Sequence, residues 1–411
     1  LKLGIYYHAA LDPEIGGGTI FQETIIEEIR RNNSHHQIYI FSPTIPDCLP
    51  EDTDSVRFVK LDNGRANKLA KTTKALSRVA SYGIEELFDK EFIGPSPLER
   101  ALQGHKIDLL WFISTRVERI TVPYIATVWD LAHRTHPYFP EVSVTGWKWS
   151  ARERHYQELL PRASMIITGT AVGKTEITQY YRIPEHLVQV VPFPPSGFAL
   201  APDAPLSKQA HDAGAQLPDR YLFYPAQFWP HKNHVGLLLS LKILREQYGL
   251  DFKLVLCGSD KGNLSYVQEK VKELGLGDAV IFFGFVKTEF MKKLYRRAFA
   301  LAYPTFFGPD NLPPLEAFAL GCPVIASRVE GAEEQLGNAA VLFDPNNPEE
   351  MASRIRDLYE NPALRDELIR RGRERAFSWT PSDYVQHVFD LVDKFETIRR
   401  CWSSQQPYIQ T

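Results

Sequence analysis

Residues Thr305–Ser327 read TFFGPDNLPPLEAFALGCPVIAS, and the rest of the chain is best read outward from them. A strand is predicted to end near Tyr303, and the chain then turns through Gly308, Pro309 and Asp310. A short helix runs from about Leu312 to Leu320 before Gly321 and Pro323 stop it. That helix is apolar except for Glu316, about one turn in. Burying a carboxylate is costly unless hydrogen-bond donors meet it, so Glu316 needs a partner. Asn311 stands where an N-cap belongs. Pro313 and Pro314 fit a first helical turn but each removes a backbone donor, so an anion at this helix end is left with amides such as those of Asn311 and Leu312. Glu316 would repel a phosphate and is better suited to accept from the paired hydroxyls of a ribose. An acid that merely favours the positive end of a helix is the structural alternative.

On both sides of this stretch, short β-rich runs alternate with helical patterns. LGIYYH, QIYIFS, DLLWFIS, YIATVWD and SMIITGT belong to a first series, and YLFYPAQF, FKLVLCGS, AVIFFGFV and FALAYPT to a second. Alternation of this kind marks parallel sheets covered by helices. Between the series, Pro194–Arg220 is rich in Pro, Ala, Gly and Asp without a sustained period, and reads as a linker. The chain is therefore predicted to be α/β, with two Rossmann-like, doubly wound parallel-sheet lobes facing a central cleft. The boundaries fall at 1–197 and 198–380. A last helix, after Thr380 and Pro381, has Tyr384, Val388, Val392 and Phe395 at helical spacing.

The 411 residues suit two domains, and 44% hydrophobic with 24% charged residues is ordinary for a globular protein. A formal net charge of −3 gives no electrostatic reason to bind nucleic acid. No apolar run reaches the roughly 20 residues that span a bilayer, and the sequence opens on a strand-like LKLGIYYH, so a cytoplasmic location is expected. Cys48, Cys257, Cys322 and Cys401 are far apart and read as reduced core thiols.

Ligands of open parallel sheets bind beyond the carboxyl ends of the strands, which directs attention to the loops there. Gly16, Gly17 and Gly18 precede a helix near Thr19 and would let an anion approach its amides, although a glycine run is equally a flexible turn. In AQFWPHKNH, Lys232 stands just before a helix, where it would neutralise a diphosphate if it is not simply solvated. His231 with His234, and His133 with His136, have H-x2-H spacing, but no nearby acid or Cys completes a metal shell, and no metal is expected.

Together, GPDNLPPLEAFALGCPVIAS, EGAEEQLGNAAVLFDPNNPEEMASRI, PHKNH and ATVWDLAHRTHPYFPE resemble a family 4 glycosyltransferase, a retaining enzyme of the two-lobed GT-B fold. The resemblance covers nearly the whole chain. It implies metal-independent transfer of a sugar from a nucleotide-diphosphate sugar, with no cofactor, and it returns the terminal helix 381–411 to the first lobe. Glu316 matches the family's ribose-holding glutamate and Lys232 its phosphate lysine. The partner glutamate of Glu316 falls at Gly308, with Asp310 as a substitute, and the usual arginine before the lysine is Gln227. The histidine often found near the sugar is Trp129, followed by Asp130. Main-chain groups of Gly284, Phe285 and Val286 would meet the base. Asp130 is the expected sugar or acceptor contact, with Trp129 and His133 as further candidates.

The resemblance leaves the donor open, with UDP-glucose before GDP-mannose, and implies a glycan or lipid-linked acceptor in polysaccharide synthesis. Arg65, Lys68, Lys71, Lys74 and Arg78 would form a basic helix face suited to an anionic membrane surface, or simply a solvated one. The rival readings are a non-hydrolysing epimerase or a phosphorylase of the same fold, and a sugar-nucleotide sensor that lost catalytic side chains at positions 227 and 308.

Overall fold

The computed structural model describes residues 1–8, 17–32, 34–43, 55–61, 95–203, 205, 214 and 217–402. The basic stretch 65–78, Gly16, Cys48 and much of the expected linker lie outside them. Two all-parallel sheets form the two lobes, as the alternating pattern predicts. The first contains β1 (Lys2–Tyr6), β2 (Gln37–Ser42), β3 (Val56–Lys60), β4 (Leu109–Phe112), β5 (Tyr124–Thr127), β6 (Met165–Thr168) and β7 (Val188–Val190). The second contains β8 (Tyr221–Pro225), β9 (Lys253–Cys257), β10 (Val280–Gly284), β11 (Ala300–Tyr303), β12 (Val324–Ser327) and β13 (Ala340–Phe343).

Their strand orders, β3-β2-β1-β4-β5-β6-β7 and β10-β9-β8-β11-β12-β13, each reverse direction once. The reversals fall between β1 and β4, where Leu3 pairs with Leu109, and between β8 and β11, where Leu222 pairs with Ala300. At such switch points neighbouring loops diverge to opposite faces and leave a crevice. The loops after β1, β8 and β11 are thus placed to bind a ligand before any side chain is considered.

Central strands are covered on both faces and read as unbroken apolar runs, such as Tyr221–Phe223 and Leu254–Cys257, all 1% exposed or less. The final helix, Pro381–Arg399, opens with a capping box between Thr380 and Asp383. Its Tyr384, Val388 and Val392 are buried in the same cluster as Leu3, Phe21 and Ile25, so this helix packs on the first lobe although it follows the second in sequence.

Candidate functional site

A cavity of about 330 Å³ opens between the lobes at the two switch points. The first lobe contributes Gly17, Gly18, Trp129 and Asp130, and the second contributes Gln227, Trp229, Lys232, Tyr303 and the loop Phe307–Pro313. Two of the lining residues carry buried polar atoms without a hydrogen-bond partner, the Trp129 Nε1 and the Asp310 Oδ2. Buried polar groups are nearly always paired, so two orphans in one crevice wall mark a place where something polar docks.

Lys232 is held by the backbone around it. A 3₁₀ turn, Pro230–Lys232, follows β8, and Asn233 takes a left-handed conformation to cap the next helix through its side chain, which accepts from Gly236 N at 3.1 Å. The Tyr224 hydroxyl donates to Lys232 O at 2.7 Å. The ammonium donates to the Tyr303 hydroxyl at 3.1 Å and lies 5.3 Å from that ring's centre. No carboxylate among the described residues forms an ion pair with it. Burial lowers its pKa to about 8, against the opposing pull of Asp130 and Glu141. An amine that has lost hydration without gaining a counter-ion is poised for an anion.

From Tyr303 the hydrogen bonds continue to Asn311, whose Oδ1 accepts from the Tyr303 hydroxyl at 2.9 Å and whose Nδ2 donates to Gly308 O at 2.5 Å. Asn311 does occupy the position before the helix Leu312–Leu320, but its side chain makes no capping bond because it is committed to this loop. Gly308 has φ +122°, and a Cβ there would fall 2.8 Å from the Asn311 Oδ1. The loop therefore takes a course that only glycine follows easily, which explains why no glutamate stands at that position. Asp310 lies across the cleft against Gly169, and its pKa is raised to about 8 by burial and by Glu334.

Glu316 is placed differently from the sequence expectation. It does not line the crevice with Lys232. Its Oε1 accepts from the Ser196 hydroxyl at 2.5 Å and its Oε2 from the Tyr295 hydroxyl at 2.7 Å, and burial raises its pKa despite both bonds. Leu312 and Pro313 occupy the helix end at the crevice, and one turn later the side chain faces the segment joining the lobes. The partner it needed is intramolecular in this structure.

Several other candidates are also placed away from the crevice or already engaged. His133 is wholly buried, 3.1 Å from Glu153 and 3.2 Å from the Tyr181 hydroxyl, so it packs inside the first lobe. Burial and Arg152 lower its pKa to about 4. Phe285 is exposed on the loop after β10, and neither it nor Val286 lines the cavity. Gln227 does line it, with its amide bonded to Ser259 and Trp229 at 3.1 Å each. Asp130 accepts from Arg152 at 2.7 Å and from Ala132 N at 2.8 Å. Burial would raise its pKa, but the Arg152 charge and these bonds hold it below the usual range. Gly18 meets the Trp129 ring, 2.6 Å from where a Cβ would sit, so the indole closes over the start of the helix Gly17–Arg31.

Nothing in the local sequence marks the residues that join the lobes. Glu141, in the first lobe, accepts from both the backbone N of His231 at 2.9 Å and its Nδ1 at 2.5 Å. The His231 ring stacks on Phe307, with centres 4.1 Å apart. His234 instead stacks on Phe228 in the second-lobe core, so the two histidines do not converge. Glu334 accepts from the amide of Ala171 across the cleft at 2.9 Å. These contacts join distant parts of the chain, and no local pattern announces them.

A second cavity, of about 580 Å³, adjoins the first and shares Asp130, Phe307, Gly308 and Pro309 with it. Its walls include His136, Glu176 and Tyr180 from the first lobe and Arg328, Glu330 and Asp344 from the second. Burial, with Glu330 nearby, raises the Glu176 pKa to about 7. Gly308 and Asp130 thus stand in the wall shared by a compartment with a lysine and one rich in polar side chains.

Two facing parallel lobes with a cleft at their switch points define the GT-B architecture. A sucrose-phosphate synthase from Thermosynechococcus elongatus superposes with TM-score 0.71 at 17% identity, over 97% of this chain and 99% of that one. The Anabaena protein HepE, solved in complex with UDP-glucose, does so with TM-score 0.67 at 16% identity, over 96% and 99%. Residues 207–375 match the family model described as glycosyl transferases group 1. Among curated proteins, O-antigen chain mannosyltransferase B of Escherichia coli is 27% identical over 66% of this chain and 69% of its own length. O-antigen chain mannosyltransferase RfbU of Salmonella typhimurium is 31% identical over 35% of this chain and 40% of its own. The chain aligns with about 60% or less of the length of several further curated relatives. Residues 207–375 are thus similar to the group 1 glycosyl transferases, within a chain of GT-B architecture.

Proposed function

We propose that the protein transfers a hexose, with retention and without a metal, from a nucleotide-diphosphate sugar to a glycan or lipid-linked acceptor. The observation that carries this reading is Lys232, a partly buried amine with no ion-paired carboxylate among the described residues, at the crevice formed by both switch points. The diphosphate lies against Lys232 and the amide of Leu312, where negative charge grows as the sugar departs, whereas the Asn311 amide expected beside it already donates to Gln335 Oε1 at 3.1 Å. The acceptor enters from the larger cavity and meets the sugar at the junction beside Gly308 and Asp130. The bond from the anomeric carbon to the phosphate oxygen breaks, a bond to the acceptor oxygen forms on the same face, and the departing phosphate oxygen takes the acceptor's proton. Asp130, held by Arg152, orients a sugar hydroxyl and does not act as the base. A ribose reaches Glu316 only if it displaces the Ser196 hydroxyl.

The names of the Escherichia coli and Salmonella relatives put mannose beside glucose among the sugars to test. The experiment is a panel of UDP- and GDP-hexoses, with and without chelator, followed by release of nucleotide and by the anomeric proton coupling of the product. Release that survives chelator, with an α-linked product from an α-donor, is the expected result. Inverted product, or loss of release on chelation while the melting temperature is unchanged, overturns the mechanism. Tight donor binding with no release for any acceptor favours the sensor reading, for which the missing side chains at 227 and 308 are the supporting observation.

A further inference from the structure

On the far side of the first lobe, away from the crevice, four potential metal ligands converge. His35 and His36 lie in the turn before β2, and Asp393 and Glu396 stand three residues apart on the helix Pro381–Arg399, a spacing that puts both on one face. We propose that these four residues bind a divalent cation of the zinc class, which fastens the terminal helix to the first lobe.

The distances fit such an ion. His35 Nε2 and His36 Nε2 lie 3.2 and 3.0 Å from the same Asp393 Oδ1, and His35 Nε2 is 3.8 Å from Glu396 Oε2. One ligand atom from each of the four residues can be chosen so that all lie within 4.8 Å of one another. A tetrahedral zinc with ligands at about 2.0–2.1 Å separates those ligands by about 3.3–3.4 Å, so only small side-chain shifts are needed.

A second observation points the same way. His36 is 2% exposed, and its Nε2 and the Asp393 Oδ1 are buried without a hydrogen-bond partner despite their 3.0 Å separation. They approach each other without the alignment of a hydrogen bond, as ligands of a common ion do. Glu396 Oε1 is engaged by Arg400 at 3.1 Å, which leaves Oε2 for the cation. Two imidazoles with two carboxylates suit zinc or cobalt better than magnesium or calcium, which prefer oxygen alone. The His36 ring also packs edge-on against Phe389 of the same helix, with centres 6.1 Å apart, which fixes one ligand in advance. This ion is structural and independent of the transfer chemistry proposed for the crevice.

The test uses the full chain after chelator treatment, titrated with zinc by calorimetry and with cobalt by visible absorption. One equivalent per chain is expected, with cobalt bands of four-coordinate intensity and a zinc-dependent rise in melting temperature. His35→Ala and Asp393→Asn alter exposed or half-exposed side chains and should leave the circular dichroism unchanged. Each should weaken zinc binding at least about tenfold, the smaller loss typical even of residues that only support a ligand. Absence of saturable binding, or binding unchanged in the His35→Ala/Asp393→Asn double variant, overturns the proposal.

Discussion

Replacing Lys232 with methionine should separate stability from activity. The ordinary lysine value of 10.5 falls to about 8 in the folded chain, chiefly through burial. At about 1.4 kcal/mol for each tenfold change, holding the charged amine in the crevice costs about 3 kcal/mol at pH 7. The sign follows from proton binding. Between pH 8 and 10.5 the unfolded chain binds the proton that the folded chain has released, so this penalty is relieved as pH rises through that window. Methionine keeps the stem and removes the charge. It also loses the bond to the Tyr303 hydroxyl, worth about 1 kcal/mol, for a net gain of about 2 kcal/mol. In a lobe of this size that raises the melting temperature by about 4–8 °C at pH 7. The gain should shrink toward pH 10. Transfer should fall by about 10²–10³-fold, as when one charge-stabilising donor is removed. Paired melts at pH 7 and 10, with kcat/KM at pH 7, provide the check. A variant that melts lower at pH 7 and keeps its transfer rate would refute both the penalty and the role assigned to the charge.

Gly308→Ala should lose about 1–3 kcal/mol in denaturant unfolding, because φ +122° is strained for alanine and its Cβ meets Asn311; an unchanged midpoint would count against the strained loop. Tyr295→Phe leaves Glu316 with only the Ser196 bond and should cost about 1–3 kcal/mol by the same measurement. Gly18→Val drives a side chain into the Trp129 ring and should raise KM for the donor while far-ultraviolet circular dichroism stays the same. With wild-type enzyme, donor kcat/KM should decline as pH rises through about 8, where Lys232 loses its proton, and a flat profile from pH 7 to 9.5 would exclude that lysine as the anion contact.

The two lobes and the short helix after Asn311 were legible because alternation, glycine stops and proline starts are local signals. So was the placement of Lys232, since a residue between a strand end and a helix start in an open sheet has few places to go. Glu316 was misplaced for a physical reason. Sequence shows that a buried acid needs donors, but not whether Ser196, 120 residues earlier, or a ligand supplies them. His133 was misjudged in the same way, because its partners Glu153 and Tyr181 come from other helices of the lobe. The substitution at Gly308 became intelligible only once its backbone angle and the Asn311 side chain were known.

The pairing of Glu141 with His231 has a kinetic corollary. The backbone amide and imidazole gripped by the first lobe belong to the residue immediately before Lys232, so any separation of the lobes would pull on the backbone that positions the cation. Swinging the halves apart would break that grip on the residue beside the cation at the same moment that it opens the exit. Separation of the lobes is resisted by this grip together with the hold of Glu334 on the Ala171 amide.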